Sequence, residues 1–225
     1  IQLLVTEGDC RKLDPIGGAI QFSEGFSYWV QKFFEDMSKK TKRYKKINNE
    51  KFTSKLIKYD LFINDWLDKR LFENGIITEP ALARWLPRFL PDSIPVMLAS
   101  SSPIRDWLSY SGKEAFLRRC FGFRGSSGID GTLSMGMGLS IIMGRMILIT
   151  GDLALLHDTN GWLFSKDSNT SLIVILIDNG GGGIFNQLNI DKIHEGDFEE
   201  IFLMPQRVCP LTLAKAYGVK YKQVA

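Results

Sequence analysis

Apolar positions along the chain change period several times, and each change marks an element. Residues 1–5 form a short strand-like run, followed by a polar turn at Asp14-Pro15 and another short extended run. Phe26, Trp29, Val30, Phe33 and Phe34 then recur at three- and four-residue spacing, which predicts an amphipathic helix with an aromatic stripe for core packing. Helical periodicity returns over residues 52–72, through Leu56, Tyr59, Ile63 and Trp66-Leu67, with alternating charges on the opposite face. Thr78 is the expected N-cap of the next helix, with Pro80 in its first turn and Leu82, Trp85 and Leu86 on its apolar side.

From about residue 76 onward strands alternate with helices. Residues 94–99 read as a buried strand and 100–107 as a strand-to-helix turn. A small-residue helix follows from Thr132 to about Met143, in which Gly136, Gly138 and Ser140 are expected to allow close approach to a sheet. Apolar runs at 146–150 and 172–177 read as strands joined by a helical segment that begins near Ala154. Residues 195–200 read as an acidic loop, 210–217 as a helix and 219–224 as a final strand. This alternation predicts an α/β fold with a doubly wound parallel sheet. Right-handed crossovers would bring residues 100–105, 124–131, 152 and 179–185 to one edge of it.

Composition adds limits rather than detail. The 225 residues are 44% hydrophobic, enough for a packed core. The net charge of +3 is local, because residues 39–46 alone carry six Lys and Arg. That run reads as a solvated linker rather than a nucleic-acid or lipid site, since no flanking fold presents it. Cys10, Cys120 and Cys209 are odd in number and far apart, which suggests neither a disulfide framework nor a zinc site and fits a reducing compartment. No apolar run reaches the ~18–20 residues of a membrane span. No signal or transit segment is visible, and Ile1 falls in what reads as mid-strand, so a piece of a longer protein is expected.

The candidate chemistry lies between Gly151 and Phe185. Gly151-Asp152-Leu153 follows one strand-like run, and Asp178-Asn179 with Gly180 to Gly183 follows the next. In a parallel βαβ unit both turns emerge at the carboxyl edge of the sheet, where open α/β sheets bind ligands. Asp152 offers an anionic oxygen, Asn179 an amide oxygen, and the glycines bring backbone groups close to a ligand. With diphosphate oxygens they would complete the octahedral oxygen shell that Mg²⁺ prefers, and the helix N-terminus that follows favours the anion. Either turn alone is equally a Gly-rich loop or an Asp cap.

Taken together, with Asn179 following Asp152 by 27 residues, the two turns resemble the thiamine-diphosphate (ThDP) motif: Gly-Asp, an interval, then Asn. Leu156-His157-Asp158-Thr159-Asn160-Gly161 and Asn179-Gly180-Gly181-Gly182-Gly183-Ile184-Phe185 are similar to one branch of those enzymes. That branch is the 2-succinyl-5-enolpyruvyl-6-hydroxy-3-cyclohexene-1-carboxylate (SEPHCHC) synthase, or MenD, family. Arg124-Gly125-Ser126-Ser127-Gly128-Ile129-Asp130-Gly131 resembles that family's Arg-Gly-Ala-Ser-Gly-Ile-Asp-Gly and is the most discriminating match. Leu13-Asp14-Pro15 and Phe202-Leu203-Met204-Pro205-Gln206 also resemble the family, so the likeness covers nearly the whole chain.

The resemblance implies that residues 1–35 are the end of a middle α/β domain, 36–75 a charged linker and helix, and 76–225 a diphosphate-binding domain truncated at its C-terminus. It implies ThDP and Mg²⁺ or Mn²⁺ as cofactors, with Asp152, Asn179 and the Gly181 carbonyl as metal ligands. Ser101, Ile129 and Gly151 would also lie against the cofactor, with Ile129 propping its bent form. Arg105 and Arg124 would bind substrate carboxylates and share the catalytic role with Ser101, while Ile184 and Phe185 would line the substrate cavity. His157 is expected to be structural. The implied reaction decarboxylates 2-oxoglutarate and adds the resulting carbanion to isochorismate, as in menaquinone and phylloquinone biosynthesis. The family's activating glutamate belongs to an N-terminal domain that this chain lacks, so a homodimer or homotetramer of a longer parent, with the site at a subunit interface, is expected. Bacterial cytoplasm or plastid stroma is the expected compartment. The family usually has Gly-Asn-Ser at Ala99-Ser100-Ser101, and a frequent Asn at Asp178. An acetolactate-synthase-like carboligase and a non-catalytic subunit of the same fold are the alternative readings.

Overall fold

Successive residues of the central strands point to opposite faces, and this period of two sorts the core of the larger unit into two layers. In the computed structural model residues 2–39, 50–72, 75–123, 128–166, 169–188 and 195–224 are described, so most of the basic run lies outside them. The chain divides into two compact units, Ile1–Tyr59 and Asp60–Ala225.

In the first unit, strands β1 (Gln2–Val5) and β2 (Ala19–Phe22) pair in parallel. The loop between them is tied by Asp14, whose carboxylate accepts the N–H groups of Ile16 and Ala19. Helix α1 (Phe26–Lys39) follows. Its aromatic stripe differs from the expected core: no residue of α1 is buried, and Phe26, Trp29 and Phe33 stack on one another instead. The two-stranded sheet is too small to cover a 14-residue helix. Helix α2 (Glu50–Arg70) runs from this unit into the next.

The second unit holds α3 (Glu79–Phe89), β3 (Val96–Leu98), α4 (Ser102–Tyr110), β4 (Cys120–Gly122), α5 (Thr132–Met143), β5 (Met146–Gly151), α6 (Asp152–His157), β6 (Leu172–Ile177), α7 (Glu195–Phe198) and α8 (Pro210–Ala216). Among the described residues its four strands are all parallel, in the order β4-β3-β5-β6, as a doubly wound α/β sheet requires. Val96, Leu98, Ile147 and Ile149 face Ile104 and Trp107 of α4, with Leu86 and Leu90 near α3 completing that layer. Met97, Met146 and Leu148 face Leu133 and Met137 of α5, together with Leu155 and Trp162. At Gly136 of α5 an added Cβ would lie 3.3 Å from Leu172 and 3.4 Å from Leu148, so the helix sits close on the sheet there. Gly138 does not share this role, since a Cβ at that position meets nothing within 4 Å. Ser140 is buried and donates to the Met137 carbonyl.

Two elements depart from expectation. Residues 219–224 form no strand: the Val219 N–H closes the end of α8 on the Ala214 carbonyl, and the residues beyond it are exposed. Residues 195–200 are helical rather than a loop, with α7 leading into a wide turn over Glu199–Leu203. Strand β4 has only three residues and ends on a glycine, too little pattern to declare itself in the sequence.

The end of α3 is closed by a side chain from far along the chain. Arg118 is buried and donates to the carbonyls of Pro87, Leu90, Pro91 and Ile94. Replacing it with Met keeps the stem but strands those carbonyls, so Arg118→Met should cost roughly 2–4 kcal/mol and lower the thermal midpoint measured by scanning fluorimetry.

Candidate active site

Strand β3 and strand β5 are neighbours, yet the chain leaves them toward opposite faces: into α4 on one side, into α6 on the other. A crevice opens at such a switch point, outside the carboxyl ends of the strands. Here it is a cavity of about 390 Å³, lined among others by Ser100, Ser101, Arg105, Ile129, Gly151 and Asp152, with Asn179, Gly181, Ile184 and Phe185 across from them. Every expected site residue except Arg124 therefore meets in one place. Arg124 lies outside the described residues, as do the three that follow it.

The turn after β3 is strained. Ser101 has φ +79° and ψ −141°, a region that L-residues seldom enter and that costs of order 1–3 kcal/mol. The strain places Ser101 at the head of α4, and its carbonyl accepts the Arg105 Nη1–H at 2.8 Å. Arg105 is otherwise exposed, leaving the rest of its guanidinium for an anion. Beside it the Ser100 hydroxyl is buried with no hydrogen-bond partner among the described residues, a polar group prepared for something that fills the cavity.

Asp152 opens α6 and is only 4% exposed. Burial raises its pKa and the Asp178 charge raises it further, against the lowering effect of the Leu153 and Gly181 N–H groups. A cation would relieve both unfavourable terms. The Gly-rich turn after β6 is held by backbone contact with the wide turn of residues 199–203. The Gly182 N–H donates to the Leu203 carbonyl at 2.6 Å, and a Cβ at Gly181 (φ +129°) or Gly182 would collide with the Leu203 or Phe202 carbonyl. Phe185 and Phe202 pack edge to face above this junction. Ile129 is fixed from α5, whose Thr132 hydroxyl donates to the Ile129 carbonyl at 2.9 Å. His157 stands 3.4 Å from Asp130 in the same loop, at the far end of α6 from Asp152.

Asp152, Asn179 and Gly181 all line this cavity, so a carboxylate, a side-chain amide and a backbone carbonyl are the hard-oxygen groups it could offer. Among the described residues no three His, Cys, Asp or Glu side chains cluster as a metal cage. A divalent cation here would rest on this mixed set plus the oxygens of its own anionic partner, a coordination suited to Mg²⁺ or Mn²⁺. The residues therefore fit a metal-bound diphosphate.

Sequence reasoning passed over Glu79 and Asp106. Glu79 lies in the first turn of α3, where an acid is explained by the helix end alone. In the folded unit it lines the cavity and accepts the Asn179 Nδ2–H at 2.6 Å. Asp106 of α4 is buried against it; burial first, then the Glu79 charge and the hydrogen bond between the two carboxyls, push the Asp106 pKa up to about 6. Only the pairing across 100 residues of sequence reveals either residue.

The parallel sheet with a ligand crevice at its switch point puts the chain in the open α/β class. No family model matches the chain. Over its whole length it is 82% identical to a SEPHCHC synthase of Prochlorococcus marinus (strain NATL1A), covering 38% of that protein. It is 50% identical to the synthase of Parasynechococcus marenigrum (strain WH8102), covering 38% of it. It is 43% identical to that of Synechococcus sp. (strain CC9311), covering 39% of it. The chain is thus similar over its whole length to SEPHCHC synthases and spans well under half the length of these relatives. No helix among the described residues is long and apolar enough to cross a membrane.

The raised Asp106 pKa sets a pH dependence. Between about pH 4, where an ordinary Asp ionises, and about pH 6 the folded state holds a proton that the unfolded chain has released. The stability this group contributes is complete below that window and is lost as pH rises through it. Asp106→Asn should remove this part of the slope, seen as a flatter plot of thermal midpoint against pH from 4 to 6.

Proposed function

We propose that the chain is the diphosphate- and metal-binding portion of a ThDP-dependent SEPHCHC synthase, which joins 2-oxoglutarate, after loss of CO₂, to isochorismate. The observation that carries this reading is the meeting of Asp152, Asn179 and Gly181 with Ser101, Arg105 and Ile129 around one crevice. The names of the relatives give the product, and the two substrates are those that the resemblance implies. Because the chain spans only 38% of such a relative, the reading extends to a longer parent in which a second part completes the site, as a homodimer or homotetramer.

When bound, the cofactor supplies the nucleophilic carbon and the electron sink for decarboxylation. The chain's own residues bind and orient. Asp152, Asn179 and the Gly181 carbonyl would hold a divalent cation and with it the diphosphate, and Gly151 would leave room for its approach. Ile129 would support the cofactor body. Ser101 and the Ser100 hydroxyl face the same space and offer hydrogen bonds to a polar group there. Arg105, with Arg124 as its expected partner, pairs with substrate carboxylates; a guanidinium fork matches a carboxylate in shape and charge. Ile184 and Phe185 supply the apolar wall that keeps water from the reacting carbon.

The test is consumption of isochorismate by the full-length protein, dependent on 2-oxoglutarate. Arg105→Ala should cost about 10- to 100-fold in kcat/KM, the worth of one charge-assisted carboxylate contact. Turnover of pyruvate alone would favour an acetolactate-synthase-like carboligase instead. No turnover of any 2-oxo acid, with cofactor bound, would favour a non-catalytic subunit.

A further inference from the structure

An asparagine that ligates a cation has a choice to make, because its amide presents an oxygen on one edge and an NH₂ on the other. In this site the choice is made by Glu79. Its Oε1 lies 2.6 Å from Asn179 Nδ2, a short distance typical of a charge-assisted hydrogen bond. An ionised carboxylate only accepts, so turning the Asn179 amide over would set oxygen against oxygen. We propose that Glu79 is a positioning residue for Asn179: it holds the Nδ2 edge and so commits the Oδ1 edge to a divalent cation in the cavity. This rests on the reading of Asn179 as a metal ligand given above.

Two features show that Glu79 is itself built into place. Its backbone is fixed at the start of α3, where the Thr78 hydroxyl accepts the Ala81 N–H at 3.2 Å and Pro80 sets the first turn. Its carboxyl group lies against that of Asp106, which is 7% exposed and belongs to α4. Gly183 also packs close to the Asn179 amide, where an added Cβ would lie 2.7 Å from Nδ2 and 3.0 Å from Cγ, so a side chain there would disturb the group that Glu79 holds. Asn179 is exposed to the cavity, and without Glu79 its side chain would rotate among several positions, only some of which offer the oxygen.

A different role is possible for an acid at this position, namely attraction of the cation by its own charge, and a double-mutant cycle separates the two. Mn²⁺ affinity of the full-length protein with ThDP present is read by electron paramagnetic resonance, with no turnover needed. Glu79→Ala should weaken Mn²⁺ binding about tenfold, as loss of a partner behind a metal ligand does. Glu79→Gln, which still accepts but no longer rejects the flipped amide, should lose only about two- to threefold, since half or more of the population keeps the ligating orientation. In an Asn179→Ala background both substitutions should change affinity by less than about twofold. Circular dichroism and the thermal midpoint report whether each variant is folded, and the isosteric Glu79→Gln carries the test if Glu79→Ala is not. Unchanged affinity in the Glu79 variants overturns the proposal, and so does an equal loss with and without Asn179. An Asp152→Ala control separates the two layers. If Asp152→Ala binds Mn²⁺ like the wild type, the metal-site reading itself has failed. If it loses binding while the Glu79 variants do not, only the positioning role has.

Discussion

Everything at the site depends on one constraint, the side-by-side parallel pairing of β3 and β5 with their onward chains leaving to opposite faces of the sheet. The register sets Leu98 beside Ile149, so the turns at Ser100-Ser101 and Gly151-Asp152 end at the same level. Had the chain wound to one face only, a crossover helix would cover that edge. Instead the edge stays open, and the side chains that follow the two strands look across a crevice. Strand β6, paired with β5 through Gly151 and Ile177, brings the Asn179 turn to the same rim. The two core layers hold the strands in this order, and neither needs the polar residues at the rim to do so.

The rim is consequently free to carry arrangements that reduce stability. Ser101 sits in a strained backbone region, the Ser100 hydroxyl is buried with no partner among the described residues, and Asp152 is buried with Asp178 near it. Glu79 and Asp106 place two more carboxyl groups in contact on the α3 and α4 side. So many oxygen donors at one rim have a simple physical sense if a divalent cation and an anion are to bind together. The carboxylates would favour the metal, and the metal, Arg105 and the head of α4 would favour the diphosphate and substrate carboxylates.

Much of this was legible in the sequence, for physical reasons. Buried parallel strands are continuous apolar runs, so 94–99, 146–150 and 172–177 announced themselves, and the Thr78-Glu79-Pro80 signal marked the start of α3. The Gly-Asp and Asn-Gly turns lie directly after such strands, which fixed their place at the carboxyl edge before any coordinates. What the sequence did not reveal are features that exist only through long-range contact. Glu79 has a complete local explanation as a first-turn acid, and nothing nearby in sequence hints at Asn179. The aromatic stripe of α1 has the right period for a core, but period alone does not say what covers it. Gly138 and Gly136 are equivalent by composition, and only the position of Leu148 and Leu172 tells them apart. Strand β4 is held by its register with β3 rather than by any preference of Cys120, Phe121 and Gly122.

The account stands or falls on whether Asp152 holds a diphosphate through a divalent cation. The direct measurement is calorimetric binding of ThDP to the full-length protein with and without Mg²⁺, for the wild type and Asp152→Ala. The account predicts binding that requires Mg²⁺ and weakens by roughly 100-fold in the variant, at the upper end of what loss of a metal contact costs. Binding of equal strength in the two proteins, or binding indifferent to Mg²⁺, would contradict it.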